Sequence, residues 1–287
     1  MKRKWLIVTL VCVLLVLAAA ACTPKDEAAS PSETNEGGGE GRFTLTVLHT
    51  GNMHGNVDQI GKLARYVKAG KASGHALYLD TGDLFKGNPV VDIPHGEPMI
   101  DLMNDAGLDA MAVGNLDFDY GQEQFARNME NSRFPWLSAN MEVVDSSVPI
   151  KQPQPYVVFE MDGVKVGVLG LTQAPPETRR SGIAGLEFRD YASTVERYAS
   201  LREETDILIA LTHIGMDEGR RLAERFDWFD LIVSGDSGDP SGGPVVVNGT
   251  PIVQTGADLQ YIGRVTLELD RATGETRLAD SRLQPLA

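Results

Sequence analysis

Six residues stand where side chains can do chemistry: Asn52 and His54, two apart, then Asp83, Asn115, His213 and Asp236. Each lies just past an apolar run and close to glycine. The stretches are Leu48-His49-Thr50-Gly51-Asn52-Met53-His54-Gly55, Leu79-Asp80-Thr81-Gly82-Asp83, Val113-Gly114-Asn115-Leu116-Asp117, Leu211-Thr212-His213-Ile214-Gly215 and Val233-Ser234-Gly235-Asp236-Ser237-Gly238. An apolar run that breaks into Gly beside Asp, Asn or His reads as a strand ending in a turn. In sheet proteins such ends are where side chains converge on a ligand. Five endings of one kind suggest one site built from five strand tips. Taken singly, each residue has a second reading. Asn52, Asp83 and Asn115 beside Gly are ordinary turn residues. His213 after an apolar strand is an ordinary satisfied core histidine. His49 reads as structural on its strand, and His75 and His95 show no partner pattern. Lys86 reads as a solvated loop cation or as a salt-bridge partner of Asp83. Arg179-Arg180 presents guanidinium forks that suit a phosphate, or is a solvated pair. Trp228-Phe229 reads as core or rim.

The elements that must position these residues follow from periodicity. Strands are expected at Phe43–His49, His75–Asp80, Asp109–Val113, Trp136–Ala139, Ile207–Leu211 and Leu231–Val233. Tyr156–Met161 and Val164–Leu171, joined by Asp162-Gly163, read as a β-hairpin. Val245–Val247, Ile252–Gln254, Gly263–Leu269 and Glu275–Leu283 close a late sheet. Helices are expected at Asp58–Ala69, Glu97–Ala106, Gln122–Met129, Ser193–Glu203 and Glu218–Phe226. Pro98 falls in the first turn of the second helix and Gly107 looks like its stop. Gln173–Phe188 reads as a Pro-, Arg- and Gly-rich loop. Residues alone support a mixed α/β fold with two strand-rich regions flanked by helices.

The chain has 287 residues. Lys2, Arg3 and Lys4 precede an apolar run from Trp5 to Ala21, which reads as a signal peptide over residues 1–21. Ala19-Ala20-Ala21-Cys22 resembles a bacterial lipobox, so Cys22 is the expected lipidation point and the membrane the expected anchor. Residues 22–42 are rich in Pro, Ser, Glu, Ala and Gly and read as a disordered spacer. The expected location is the bacterial cell envelope, outside the cytoplasm. The domain then spans 43–287. Cys12 and Cys22 are the two cysteines, so the mature domain has no disulfide and no Cys-ligated metal. Formal charge is −14, and more acidic once the leader's cations are removed. That argues against nucleic acid as a partner. A small anionic substrate requires positive charge from a metal or a local arginine.

The five stretches, in this order, resemble the motifs of the calcineurin-like metallophosphoesterases, in particular the catalytic domain of secreted 5'-nucleotidases. That family reads HTND-x-HG, GD, GNHEFD, a His after an apolar strand, and GH-x-H. Leu137-Ser138-Ala139-Asn140, Asp162-Gly163-Val164-Lys165-Val166-Gly167, Gln254-Thr255-Gly256-Ala257 and Tyr261-Ile262-Gly263-Arg264 resemble it as well. The likeness runs from about Phe43 to the C-terminus. It implies a four-layer αββα sandwich with two metals at the strand tips. Carried over, the first-metal ligands fall on Asn52, His54, Asp83 and Gly238, and the second-metal ligands on Asp83, Asn115, His213 and Asp236. Asn52 brings no charge and Gly238 no side chain, so the first position is expected to be empty or weak. The second set is complete in number, with a carboxylate in place of one His. Three oxygens and one imidazole favour manganese or magnesium over zinc. The family's catalytic His falls on Leu116, which can neither donate a proton nor stabilise a phosphoryl oxygen. Asp119 resembles the carboxylate that orients that His and is expected to stand without it. The resemblance thus implies a phosphate-ester hydrolase scaffold, with a small phosphorylated molecule as ligand and two-metal activity weak or lost. It also implies that a C-terminal nucleotidase domain is missing after Pro285.

Overall fold

The structure, a computed structural model, describes residues 41–176, 182–240 and 242–287. The expected signal peptide, lipidated Cys22 and most of the spacer lie outside the described residues, as do Arg179 and Arg180. In chain order the elements are β1 (Arg42–Thr50), α1 (Ile60–Ala72), β2 (Ala76–Asp80), α2 (Pro89–Asp92), α3 (Glu97–Ala106) and β3 (Ala110–Ala112). A 3-10 turn at Leu116–Phe118, α4 (Gln122–Asn131), β4 (Trp136–Leu137), β5 (Met141–Val143), β6 (Tyr156–Met161) and β7 (Val164–Thr172) follow. Next are β8 (Leu186–Phe188), α5 (Tyr191–Arg197), α6 (Leu201–Glu204), β9 (Ile207–His213), α7 (Gly215–Arg225) and β10 (Leu231–Ser234). The chain closes with β11 (Val245–Val247), β12 (Thr250–Val253), β13 (Tyr261–Asp270) and β14 (Glu275–Pro285).

Two six-stranded mixed sheets carry the fold, ordered β14-β13-β1-β2-β3-β4 and β11-β12-β10-β9-β7-β6. Strict alternation along β1 explains the layering. Phe43, Leu45 and Val47 pack with Val166, Val168, Ile207, Ile209 and Val233 of the other sheet. Leu48 packs outward with Ile60, Leu63 and Val67 of α1 and with Met99 and Met103 of α3. On the far side Leu208, Ala210 and Ile232 meet Leu222 and Ala223 of α7. Successive strand side chains point to opposite faces, so each sheet is apolar on both and is covered on both. The layers are therefore helix, sheet, sheet, helix, as the resemblance implied.

Direction matters more than layering for the site. β1, β2, β3 and β4 run parallel to one another. So do β7, β9, β10 and β12 in the second sheet. Each parallel run gathers its C-terminal ends on one edge, which is where open α/β sheets place ligands.

Several elements differ from the sequence expectation. The expected helix Ser193–Glu203 is two helices, α5 and α6. It starts earlier because Asp190 caps it, accepting the Ser193 N–H at 2.9 Å. It breaks at Tyr198, whose ring packs edge-on against Tyr156 at 5.9 Å. The expected loop Gln173–Phe188 ends in β8, which pairs antiparallel with β5. Helix α2 was not legible; Asn88 caps it through Val90 N–H at 3.0 Å. The hairpin turn at Asp162-Gly163 is as expected, with φ of 48° and 75°. His75 does have partners, an ion-pair contact to Asp162 at 3.0 Å and a stacked Phe43 ring.

Candidate metal centre

The loops after β2 and β3 are locked to each other. Gly82 approaches the next strand so closely that a Cβ would lie 2.5 Å from the Gly114 nitrogen. The Leu116 N–H donates to Asp83 Oδ1 at 2.8 Å. Asp117 answers from the other side, accepting N–H bonds from Gly114 at 2.8 Å, Leu84 at 3.1 Å and Asp83 at 3.2 Å. Burial and the neighbouring Asp83 charge push the Asp117 pKa up to about 8, against those backbone donors. Sequence reasoning gave Asp117 no role. The available signal was a second carboxylate inside the Gly114–Asp119 stretch. Replacing Asp117 with Ala leaves three inward-facing N–H groups without acceptors, at about 1–3 kcal/mol each. Urea unfolding of Asp117→Ala is therefore expected to show a loss of at least ~3 kcal/mol.

From the second sheet comes His213, fully buried at the end of β9. Its Nδ1 donates to the Thr81 carbonyl at 2.7 Å. That bond fixes the ring and leaves Nε2 to face inward, the tautomer a metal requires. Nε2 lies 3.2 Å from Asp83 Oδ2 and 3.6 Å from Asp236 Oδ1, without a well-aligned hydrogen bond to either. One ligand atom from each of Asp83, His213 and Asp236 falls within 4.8 Å of the others. Asn115 Oδ1 is buried without a hydrogen-bond partner, next to the Gly114 and Leu116 contacts with Asp83. Two carboxylates and one imidazole nitrogen form a donor set that fits a divalent cation, and the orphaned Asn115 amide oxygen lies on the adjoining loop.

Burial alone would lower the His213 pKa, but Asp83 and Asp236 outweigh it and hold it at about 10. The value in an unfolded chain is near 6.5. In protein stripped of divalent cations, this pairing therefore stabilises fully below pH 6.5 and fades as pH rises through 10. Denaturant unfolding from pH 6 to 10 is expected to show that decline, added below pH 8 to the loss from the raised Asp117 carboxyl, and His213→Gln is expected to remove the part between pH 8 and 10.

The remaining candidates have other partners. Asn52 Oδ1 accepts the Asp236 N–H at 3.1 Å and so braces the β10 tip. His54 Nδ1 lies 2.9 Å from Asp258 Oδ1, and Asp258 is itself anchored by N–H donation to Asn52 O at 2.8 Å. Lys86 does not bridge to Asp83; its Nζ lies 2.8 Å from Asp119 Oδ2. Asp119 faces no histidine, since position 116 is leucine, and its carboxylate is taken up by Lys86 instead. The reason is geometric: Leu116 points no donor at it, and the Lys86 loop runs alongside. A Cβ at Gly238 would meet nothing within 4 Å. His49 is buried and its pKa falls to about 4 by desolvation, so it is neutral near pH 7. Trp228 stacks on Phe226 with centroids 5.3 Å apart, in line with a core or rim role.

An αββα sandwich whose parallel strand tips bring carboxylates and a histidine together defines a metallophosphoesterase fold. The calcineurin-like phosphoesterase profile matches residues 45–240, and the chain belongs to that family. It is 30% identical to a 5'-nucleotidase of Vibrio vulnificus (strain CMCP6), over 100% of this chain and 58% of the relative. It is 29% identical to the trifunctional nucleotide phosphoesterase YfkN of Bacillus subtilis (strain 168), over 80% of this chain and 18% of that one. Among solved structures, the 5'-nucleotidase precursor of Thermus thermophilus superposes with a TM-score of 0.72 at 25% identity, covering 84% of this chain and 54% of that one. The chain thus spans little more than half of the Vibrio 5'-nucleotidase it matches. Membership of the family implies use of divalent metal.

Proposed function

We propose that this domain is a phosphate-ester-binding metalloprotein of the cell envelope that holds one divalent cation and has little or no two-metal hydrolase activity. The observation that carries the reading is the meeting of His213 Nε2 with Asp83 and Asp236. Asp83 and Asp236 together neutralise one divalent charge, and with Asn115 and His213 they make a hard, oxygen-rich set. Manganese or magnesium is preferred over zinc. When bound, such a cation polarises a phosphoryl oxygen. The chain's own residues do the rest. The Thr81 carbonyl holds the His213 tautomer, and Asp117 and Asn52 hold the loops that aim Asp83 and Asp236.

The first-metal position lacks support, because Asn52 brings no charge and its oxygen already serves the Asp236 N–H. Leu116 offers no proton for a leaving alkoxide, and absence of a general acid costs about 10²–10⁴ in rate. The ligand class is a small phosphorylated molecule, with nucleotides suggested by the names of the relatives. In the same reading Cys22 carries the lipid tether and residues 22–42 form the spacer.

Calorimetry with manganese is expected to give one site per chain. Hydrolysis of p-nitrophenyl phosphate, its bis-ester and 5'-AMP with manganese is expected to be slow or undetectable. A second tight manganese, or brisk turnover of any of the three, would overturn the proposal. Slow turnover abolished by His213→Ala would favour a one-metal phosphoesterase over a pure binding module.

A further inference from the structure

Lys86 is the one cation in the two loops, residues 81–88 and 114–121, that carry Asp83 and Asn115. Its Nζ sits 2.8 Å from Asp119 Oδ2; the lysine side chain is 51% exposed and the aspartate 4%. The contact is fixed relative to the candidate centre from two directions. Asp119 N–H donates to Leu116 O at 3.0 Å, and Leu116 N–H donates to Asp83 Oδ1 at 2.8 Å. On the other flank, a Cβ at Gly87 would lie 2.6 Å from the His54 carbonyl oxygen, so the loop bearing Lys86 packs against His54. Lys86 is thereby held between the Asp83–Leu116 corner and the His54 loop, at the rim of the cluster.

Asp119 by itself explains why a cation is recruited, since burying a carboxylate without a counter-charge is costly. It does not use all that the lysine offers. An ammonium carries three donors and accepts nothing, and half of this side chain faces solvent. Charge points the same way. One divalent cation is cancelled by Asp83 and Asp236, so attraction for a phosphate must come from a directed donor near the rim. Resting on the one-cation reading above, we propose that Lys86 recognises the phosphate. Its ammonium, steadied by Asp119, donates to a non-bridging oxygen of a small phosphate monoester whose other edge meets the Asp83–His213–Asp236 cluster.

The test is titration of the manganese-loaded full chain with inorganic phosphate, alongside a separate manganese titration. Lys86→Met is expected to bind manganese as the wild type does and phosphate about 10- to 100-fold more weakly, the range for one charge-assisted hydrogen bond. Lys86→Arg should keep most of the phosphate affinity. Because Lys86→Met takes a counter-charge from Asp119, the double variant Lys86→Met with Asp119→Asn supplies a charge-balanced control and should show the same phosphate loss. Equal phosphate affinity in wild type and both variants, or no phosphate binding by the loaded wild type, overturns the assignment. If manganese itself fails to bind, the one-cation reading falls. Metal-free phosphate affinity of wild type against the variants then still decides Lys86.

Discussion

Asp83→Asn is expected to weaken manganese binding by about 10²–10⁴-fold while leaving the domain folded. That factor follows from the ~3–5 kcal/mol lost when one partner of a buried charged pair is removed. Asparagine keeps the shape, and its carbonyl oxygen can still accept the Leu116 N–H that Asp83 takes at 2.8 Å. What goes is the charge. Against the burial that lowers the His213 pKa, Asp83 is the largest of the influences that raise it to about 10. In Asp83→Asn that pKa should therefore fall, moving the stability loss described above to lower pH. Calorimetry with manganese and histidine-ring NMR read the two effects separately. Undiminished manganese binding in a folded Asp83→Asn would remove the cluster from contention as the cation site.

The converse experiment rebuilds what the family resemblance implies. Asn52→Asp, Leu116→His, Asp236→His and Gly238→His are expected together to install phosphatase activity and a second cation. Within that background, Leu116→His should account for about 10²–10⁴ of the rate through proton donation. The backbone has room. Nothing lies within 4 Å of a Cβ at Gly238. Position 236 has φ of 66°, a region that histidine tolerates better than most residues. A carboxylate at position 52 can accept the same N–H of residue 236 that Asn52 accepts now. One obstacle is specific to this chain. An imidazole at 116 must compete with Lys86 for Asp119. Adding Lys86→Met should therefore raise kcat and, by the assignment above, raise KM as well. p-Nitrophenyl phosphate hydrolysis with manganese checks both. A folded but inert quadruple variant would show that the motif carry-over fails.

Much of the fold was legible because its signals are local. Alternation along Phe43–Val47, the Asp162-Gly163 turn, and Pro98 with Gly107 around α3 each depend on residues a few positions apart. Where longer-range packing intervenes, local pattern misleads. The expected Ser193–Glu203 helix is interrupted at Tyr198, which leaves helical backbone geometry with φ −108° and ψ 19° and packs its ring on Tyr156. β8 exists because β5 offers it an edge.

The candidate site divides in the same way. By itself the sequence determined which donors are available and on which strand tips they sit: Asn52, His54, Asp83, Asn115, His213 and Asp236, with leucine at 116 and glycine at 238. It could do so because a strand's end and the residue that follows are fixed by adjacent side chains. Only the tertiary structure decided which donors meet. Asn52, His54, Asp83 and Asp236 all adopt positive φ, so their directions depend on turns held by distant contacts. His213 reaches Asp83 across two sheets, His54 turns to Asp258, and Lys86 turns to Asp119. These pairings are set by how two sheets face each other, a property that no stretch of neighbouring residues contains.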